Sequence, residues 1–135
     1  MMALTVQQPW ASLILRGDKP IENRNWKPRT IRVGERFLIH ASKTIDVWGS
    51  DWIDDALPLT TGAVIGSVVF AGVVAPCDLE ADAREWATGS RWCWQLRDPE
   101  VLAKPIPMTG RRGLWHPDEG PPAWAARGLA AVFGG

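Results

Sequence analysis

Tyrosine is absent from the 135 residues, and phenylalanine occurs only three times. A mechanism that needs a phenol is thereby excluded. Cysteine is scarce as well. Cys77 and Cys93 are too few for a disulfide scaffold, and their spacing matches no zinc ribbon, so both are expected as buried or half-buried thiols. The two histidines, His40 and His116, stand apart from any Cys or Glu cluster. Neither a metal nor another cofactor is expected from them. There is no Walker A loop, no GxGxxG and no HExxH, and neither GRRG nor ATGS makes a nucleophile elbow. Ser42 and Ser90 have no base nearby in sequence. No stretch approaches the roughly 20 apolar residues of a membrane span. MMALTVQQPWASL carries no basic region ahead of an apolar run, so no secretory signal and a cytoplasmic placement are expected.

What is present is apolar and rich in indole. Hydrophobic residues make up 46% of the chain, which argues for a folded globule, and the length suits one domain over residues 1–135. Nine tryptophans exceed what a small core needs, leaving several for a pocket or a stacking platform. Net charge is zero but unevenly spread: +5 over residues 1–43, −7 over 44–100 and +2 over 101–135. A basic first third suggests a polyanionic partner if its cations share a face.

The pattern of elements points to an α+β domain, mainly β, with peripheral helices. ALTV (3–6) reads as a strand. Pro9 opens a two-turn helix whose Trp10, Leu13 and Ile14 form one face and whose Gly17 ends it, with Gln8 a poor cap. Pro20 pushes Lys19 out of the helical region, so IENRN runs extended. A turn at Val33-Gly34 leads to a strand over 36–42. Ile45, Trp48, Trp52 and Ile53 fall at helical spacing. Pro58 to Gly62 turns into AVIGSVVFAGVVA (63–75), a bent central strand in which Gly66 and Gly72 mark a bulge or a close backbone approach. A helix is expected over 78–88 and a strand over 91–97 with Trp92 and Trp94 on one face. Asp98-Pro99 turns, VLAKPIPM returns as an edge strand, TGRRGLWHPDEGPP is loop, and a short helix falls at 122–127. Short strands broken by two or three helices suggest a small closed or half-closed barrel without parallel βαβ repeats.

The densest chemistry lies at residues 17–29, GDKPIENRNWKPR. In an extended run Glu22 and Arg24 point to one face. Lys19 sits at the corner after the helix, and Trp10 and Trp26 bracket the segment. A cation, a carboxylate and an arginine around a concavity beside an indole can read a base. The carboxylate accepts from an exocyclic amine, the cations take phosphate or carbonyl oxygens, and the ring stacks.

These residues resemble a known family. LTVQQPWASLILRGDKPIENRNW, then FLIHASK, looks like the N-terminal half of an ASCH domain (activating signal cointegrator homology). Its run QPWAxLIxxGxKxxExR is met by Gln8, Pro9, Trp10, Ala11, Leu13, Ile14, Gly17, Lys19, Glu22 and Arg24. TTGAVIGSVVFAGVV resembles the family's small-residue strand and KPIPMTGRRGLW its late PIPxxGxxGLW segment, so the likeness covers residues 3–116. It implies a small PUA-like pseudo-β-barrel, with the GxKxxExR segment lining a cleft, and binding of RNA or of single-stranded or modified nucleic acid.

Some relatives are enzymes. Amidohydrolase members acting on N4-acylated cytidine use the motif lysine, a threonine three residues on and a later glutamate. Here Lys19 matches, the threonine position is Glu22, and no acid lies in 63–75. A carboxylate does not replace a hydroxyl in that acyl transfer. Ribonuclease relatives use a tyrosine that this chain lacks.

The expected function is therefore recognition of RNA, or of a single-stranded or modified base, in a cationic cleft. Its residues are Trp10, Lys19, Glu22, Arg24, Lys43, Arg111, Arg112 and Trp115. Lys19, Arg24, Arg111 and Arg112 attract phosphate, and Trp10 or Trp115 shapes the pocket. The alternative is a small hydrolase, a ribonuclease or a modified-nucleoside amidohydrolase, with Lys19 and Glu22 as catalytic acid–base pair. A third reading is a protein-interaction module built on Asp46–Asp55, where four acids surround two tryptophans.

Overall fold

A computed structural model describes residues 1–117; the helix expected at 122–127 lies outside the described residues. The strands are β1 (Ala3–Gln8), β2 (Ile21–Arg24), β3 (Arg36–Ile45), β4 (Ala63–Val74), β5 (Trp92–Pro107) and β6 (Leu114–Trp115). The helices are α1 (Trp10–Arg16) and the single turn α2 (Ala81–Arg84), with 3-10 turns at Val47–Trp52 and Pro76–Asp78. The strands form one mixed sheet in the order β2-β5-β4-β3-β1-β6. All pairings are antiparallel except β1 with β3. The α+β class expected from the sequence is what forms, but the sheet is not closed: β2 and β6 are its edges among the described residues.

β4 is interior to the sheet and buried along its first eight residues, which is why it reads as an unbroken apolar run rather than an alternation. At Gly66 the backbone packs too closely for a side chain. A Cβ there would meet the Glu100 carbonyl oxygen and the Leu15 methyls, and the register with β5 shifts at that point. On one face of the sheet, α1 packs Ala11, Ile14 and Leu15 against Phe37, Ile39, Val68, Phe70 and Trp94. Ala3, Leu38, Val64, Ile106, Met108 and Trp115 fill the other.

Three elements differ from the sequence pattern. β5 does not turn back at Asp98-Pro99. It is one 16-residue strand that bends there, with Asp98 at φ 49°, and pairs with β4 on both sides of the bend. Its prolines at 105 and 107 fall where β2 no longer flanks it, so their missing N–H groups leave no ladder bond unmade. The helical spacing of Ile45, Trp48, Trp52 and Ile53 does not produce a buried helical face. Ile45 ends β3, and Trp48 on the following 3-10 turn is 87% exposed. The helix expected over 78–88 shrinks to one turn, because Leu79 and Trp86 are drawn into a side cluster with Leu13, Ile21 and Cys93. Of the two thiols, Cys93 is buried there and Cys77 is exposed.

Candidate nucleic-acid interface

The site begins with how α1 starts and stops. Gln8, a poor cap by residue type, is fully buried and serves as one from a position early. Its side-chain oxygen accepts the Ser12 backbone N–H, while its amide nitrogen donates to Ser12 Oγ and to the Thr60 carbonyl. At the other end Gly17 takes the left-handed conformation (φ 92°). The backbone N–H groups of Gly17 and Lys19 then return to the carbonyls of Ile14 and Leu13. This closure folds Lys19 inward. β2 follows with Glu22 and Arg24 on one face, as its alternation requires.

The three charges form a buried network. Lys19 Nζ donates to the Ile21 carbonyl at 2.6 Å and to Glu22 Oε1 at 3.2 Å. Arg24 donates to Glu22 Oε2 through Nε (3.1 Å) and Nη2 (2.8 Å), and Nη2 also reaches the Thr5 carbonyl at 2.8 Å. Lys19 is 4% exposed and Glu22 7%. Burial is the strongest influence on Glu22 and pushes its pKa up. The combined pull of Lys19 and Arg24 outweighs it and holds the carboxyl below the usual glutamate value. Glu22 is therefore an anion at neutral pH.

That network is the floor of a cavity of about 850 Å³. Its walls carry five tryptophans: Trp10, Trp26, Trp48, Trp52 and Trp86. Trp10 is fixed by its indole N–H, which donates to Asp46 Oδ2 at 3.0 Å, and Trp52 lies against Trp86 with ring centres 4.3 Å apart. The opposite face of β2 holds the far wall. Asn23 donates to the Trp86 carbonyl and accepts from the Thr88 backbone N–H and from Ser90 Oγ.

A second cavity of about 630 Å³ shares Thr5, Arg24 and Trp26 with the first and adds Lys43, Arg111 and Arg112. Arg24, Lys43, Arg111 and Arg112 thus converge on one surface that no Asp or Glu lines among the described residues. Lys19 does not join them. Its burial means that only a group entering the first cavity can reach it, and a phosphate passing outside cannot.

Trp115 corrects the sequence analysis, and His40 lies beside it. Trp115 is a core residue, 5% exposed, and lines neither cavity; a ring packed there offers no face for stacking. His40 is buried, 1% exposed. The two are linked through Thr5: Trp115 Nε1 donates to Thr5 Oγ1 (3.1 Å), which lies 3.2 Å from His40 Nδ1, while His40 Nε2 lies 2.7 Å from the Met108 carbonyl. A carbonyl only accepts, so Nε2 carries the proton, and Nδ1 accepts from the threonine hydroxyl. Burial lowers the His40 pKa, opposed by the Met108 contact. The unfolded chain therefore takes up the proton first, and stability is expected to fall as pH drops below about 6.5 and on through the lower folded-state value. Urea unfolding at pH 7.5 and 5.5 checks this: the decline should flatten in His40→Gln. An equal decline in both proteins would assign it elsewhere.

Of the sequence-assigned residues, the structure brings Trp10, Lys19, Glu22 and Arg24 to one cavity and Lys43, Arg111 and Arg112 to its neighbour. Sequence reasoning missed Trp48, Trp52, Trp86 and Asn23, and it named Trp26 as bracketing the segment without counting it among the site residues. Trp26 had a signal, its position two residues beyond Arg24. Trp86 had none, because it arrives from sixty residues away. As to chemistry, both Glu22 oxygens are engaged and its charge is pinned, which suits a fixed network better than proton exchange. No group of three His, Cys, Asp or Glu able to hold a metal exists among the described residues.

Comparison with known proteins accords with this geometry. The ASCH domain family model matches residues 4–107. Among solved structures, ASCH from Zymomonas mobilis superposes with a TM-score of 0.60 at 16% identity, covering 97% of this chain and 94% of that one. Two single-substitution mutants of that same protein superpose equally well. One gives 0.60 at 16% identity over 97% of this chain and 96% of that one. The other gives 0.59 at 16% identity over 97% and 94%. At that identity the likeness speaks to the fold alone. No curated protein sequence matches the chain significantly. With the motif residues assembled at one corner and the family model spanning most of the sequence, the chain belongs to the ASCH domain family.

Proposed function

We propose that the protein recognises single-stranded RNA, or a modified base within it, by seating one base in the tryptophan-lined cavity and phosphates on the cationic surface beside it. Membership of the ASCH family, a PUA-like fold, supports a general role in RNA binding or a related activity. The observation that carries the finer reading is the juxtaposition itself. An aromatic cavity with fixed donors and an acceptor at its floor adjoins a surface that gathers Arg24, Lys43, Arg111 and Arg112. Indole faces bind bases by stacking irrespective of sequence, while a directional carboxylate and guanidinium discriminate among base edges.

Trp48 offers the cleanest test, because 87% exposure gives it little to do in folding. Trp48→Ala is expected to unfold within about 0.5 kcal/mol of the parent. If Trp48 stacks on a base, its affinity for a mixed-sequence single-stranded RNA should fall by about 1–3 kcal/mol, read by fluorescence anisotropy. Unchanged affinity would remove Trp48 from the site. A parent protein that binds no RNA even at low salt would end the reading altogether.

A further inference from the structure

Trp26 borders more than these two cavities. A third, of about 880 Å³, is lined by Lys27, Arg29, Arg91 and Trp92 as well as Trp26. Charge is distributed very differently among the three. The first cavity mixes Lys19 and Arg24 with Glu22, Asp46 and Glu85. Among the described residues the second has four cations and no acid, and the third has three cations and no acid. Lys27, Arg29 and Arg91 are exposed and form no ion pair with a carboxylate among the described residues. Their arrangement is nonetheless built. The Arg91 backbone N–H donates to Asn25 Oδ1 at 3.0 Å, tying residues 25–30 to the start of β5. Lys27 Nζ lies 4.0 Å from the centre of the Trp92 ring, and the Arg91 guanidinium 5.5 Å from it. An indole face holds cations in place without neutralising them.

Trp26 is common to all three cavities and is a fixed post. Its carbonyl accepts the indole N–H of Trp94 at 3.1 Å, and its ring meets Trp94 edge-on at 4.9 Å. Trp94 is fully buried between Phe37 and Phe70, so Trp26 is braced by the core while remaining 37% exposed.

Resting on the function proposed above, we infer that Lys27, Arg29 and Arg91 form a second phosphate site, and that one unbroken strand crosses Trp26. The strand places phosphates on Lys43, Arg111 and Arg112 on one side and on Lys27, Arg29 and Arg91 on the other. The nucleotide between them turns its base into the tryptophan-lined cavity. A free nucleoside has no use for either cationic surface, and a strand end uses one. Two such surfaces meeting at a common tryptophan fit a nucleotide with a phosphate on each side. The ligand class is thus an internal nucleotide of a single strand, with its base unstacked from its neighbours.

The test is the salt dependence of binding to a mixed-sequence single-stranded RNA of about twelve nucleotides, titrated between about 50 and 200 mM salt. Each phosphate contact on a single strand contributes about 0.7 to the slope of log K against log salt. Replacing Lys27, Arg29 and Arg91 together by alanine should flatten the slope by about 2 and weaken binding at least about tenfold near 100 mM salt. Replacing Arg29 alone, which touches no ring, should flatten it by about 0.7 and decides the matter if the triple variant fails to fold. Unchanged slope and affinity in these variants, with binding still lost when Lys43, Arg111 and Arg112 are replaced, would overturn the two-sided path and leave the base-binding reading intact. No RNA binding by the parent at about 50 mM salt would overturn both.

Discussion

Glu22→Gln is expected to destabilise the protein by about 3–5 kcal/mol, the usual effect of removing one partner from a buried ion pair. The substitution keeps the shape of the side chain but takes away the anion that Lys19, 4% exposed, and Arg24 both face. Lys19 would keep only the Ile21 carbonyl as acceptor of known position, with an uncompensated charge under the cavity. Urea unfolding measures the loss. Pairing the change with Lys19→Met identifies its source: the double variant should lose clearly less than the sum of the singles, because it leaves no buried ammonium unmatched. The same network sets an acid limit. The Glu22 folded-state pKa lies below its ordinary value, so its stabilisation is fully present above about 4.3 and disappears as pH falls through the folded-state value. A Glu22→Gln protein within about 1 kcal/mol of the parent would mean that the network contributes little to the fold.

The largest effect on binding is expected from the neighbouring surface. Replacing Lys43, Arg111 and Arg112 together by alanine should weaken single-stranded RNA binding by roughly a hundredfold to a thousandfold, taking about 1–1.5 kcal/mol for each charge-assisted contact. Unfolding should change little, because these side chains are exposed and pack against no core cluster. The slope against salt should flatten by about 2, marking lost counterion release rather than a lost base contact. Trp48→Ala should do the opposite, lowering affinity while keeping the slope. That contrast assigns phosphate and base to separate surfaces. If the triple variant keeps both affinity and slope, the strand does not lie there.

Local geometry was readable in the sequence because local rules set it. Gly17 had to end α1, Pro20 had to extend what followed, and strand alternation had to place Glu22 beside Arg24. β4 was legible as a central strand from its apolar run, and Gly66 as a close approach. What failed were statements about segments whose place is set by distant partners. Helical spacing at Ile45, Trp48, Trp52 and Ile53 misled, because these residues go to different places: Ile45 ends β3, Ile53 packs against the side cluster, and the indoles line a cavity. The proposed return at Asp98-Pro99 rested on turn chemistry that a bend inside one long strand satisfies equally well. Trp115 seemed open because it follows a glycine-rich loop, yet β6 pairs with β1 and carries it into the core. Five tryptophans meet in one cavity from separate stretches of chain, and no spacing rule brings them together.

Residue 110 has no side chain, and that small fact has a mechanical result. A Cβ there would strike Thr5 Oγ1 and the His40 ring at 2.6–2.7 Å, so the segment leading into Arg111 and Arg112 rests directly on both residues. The carbonyl of that same threonine holds Arg24. Arg24 and the backbone that carries Arg111 and Arg112 thus meet at a single residue, and the distance between these two segments belongs to the scaffold. Under the proposed function, a polyanion meeting them would find the backbone spacing already set, and only side-chain ordering entropy would remain to be lost on contact.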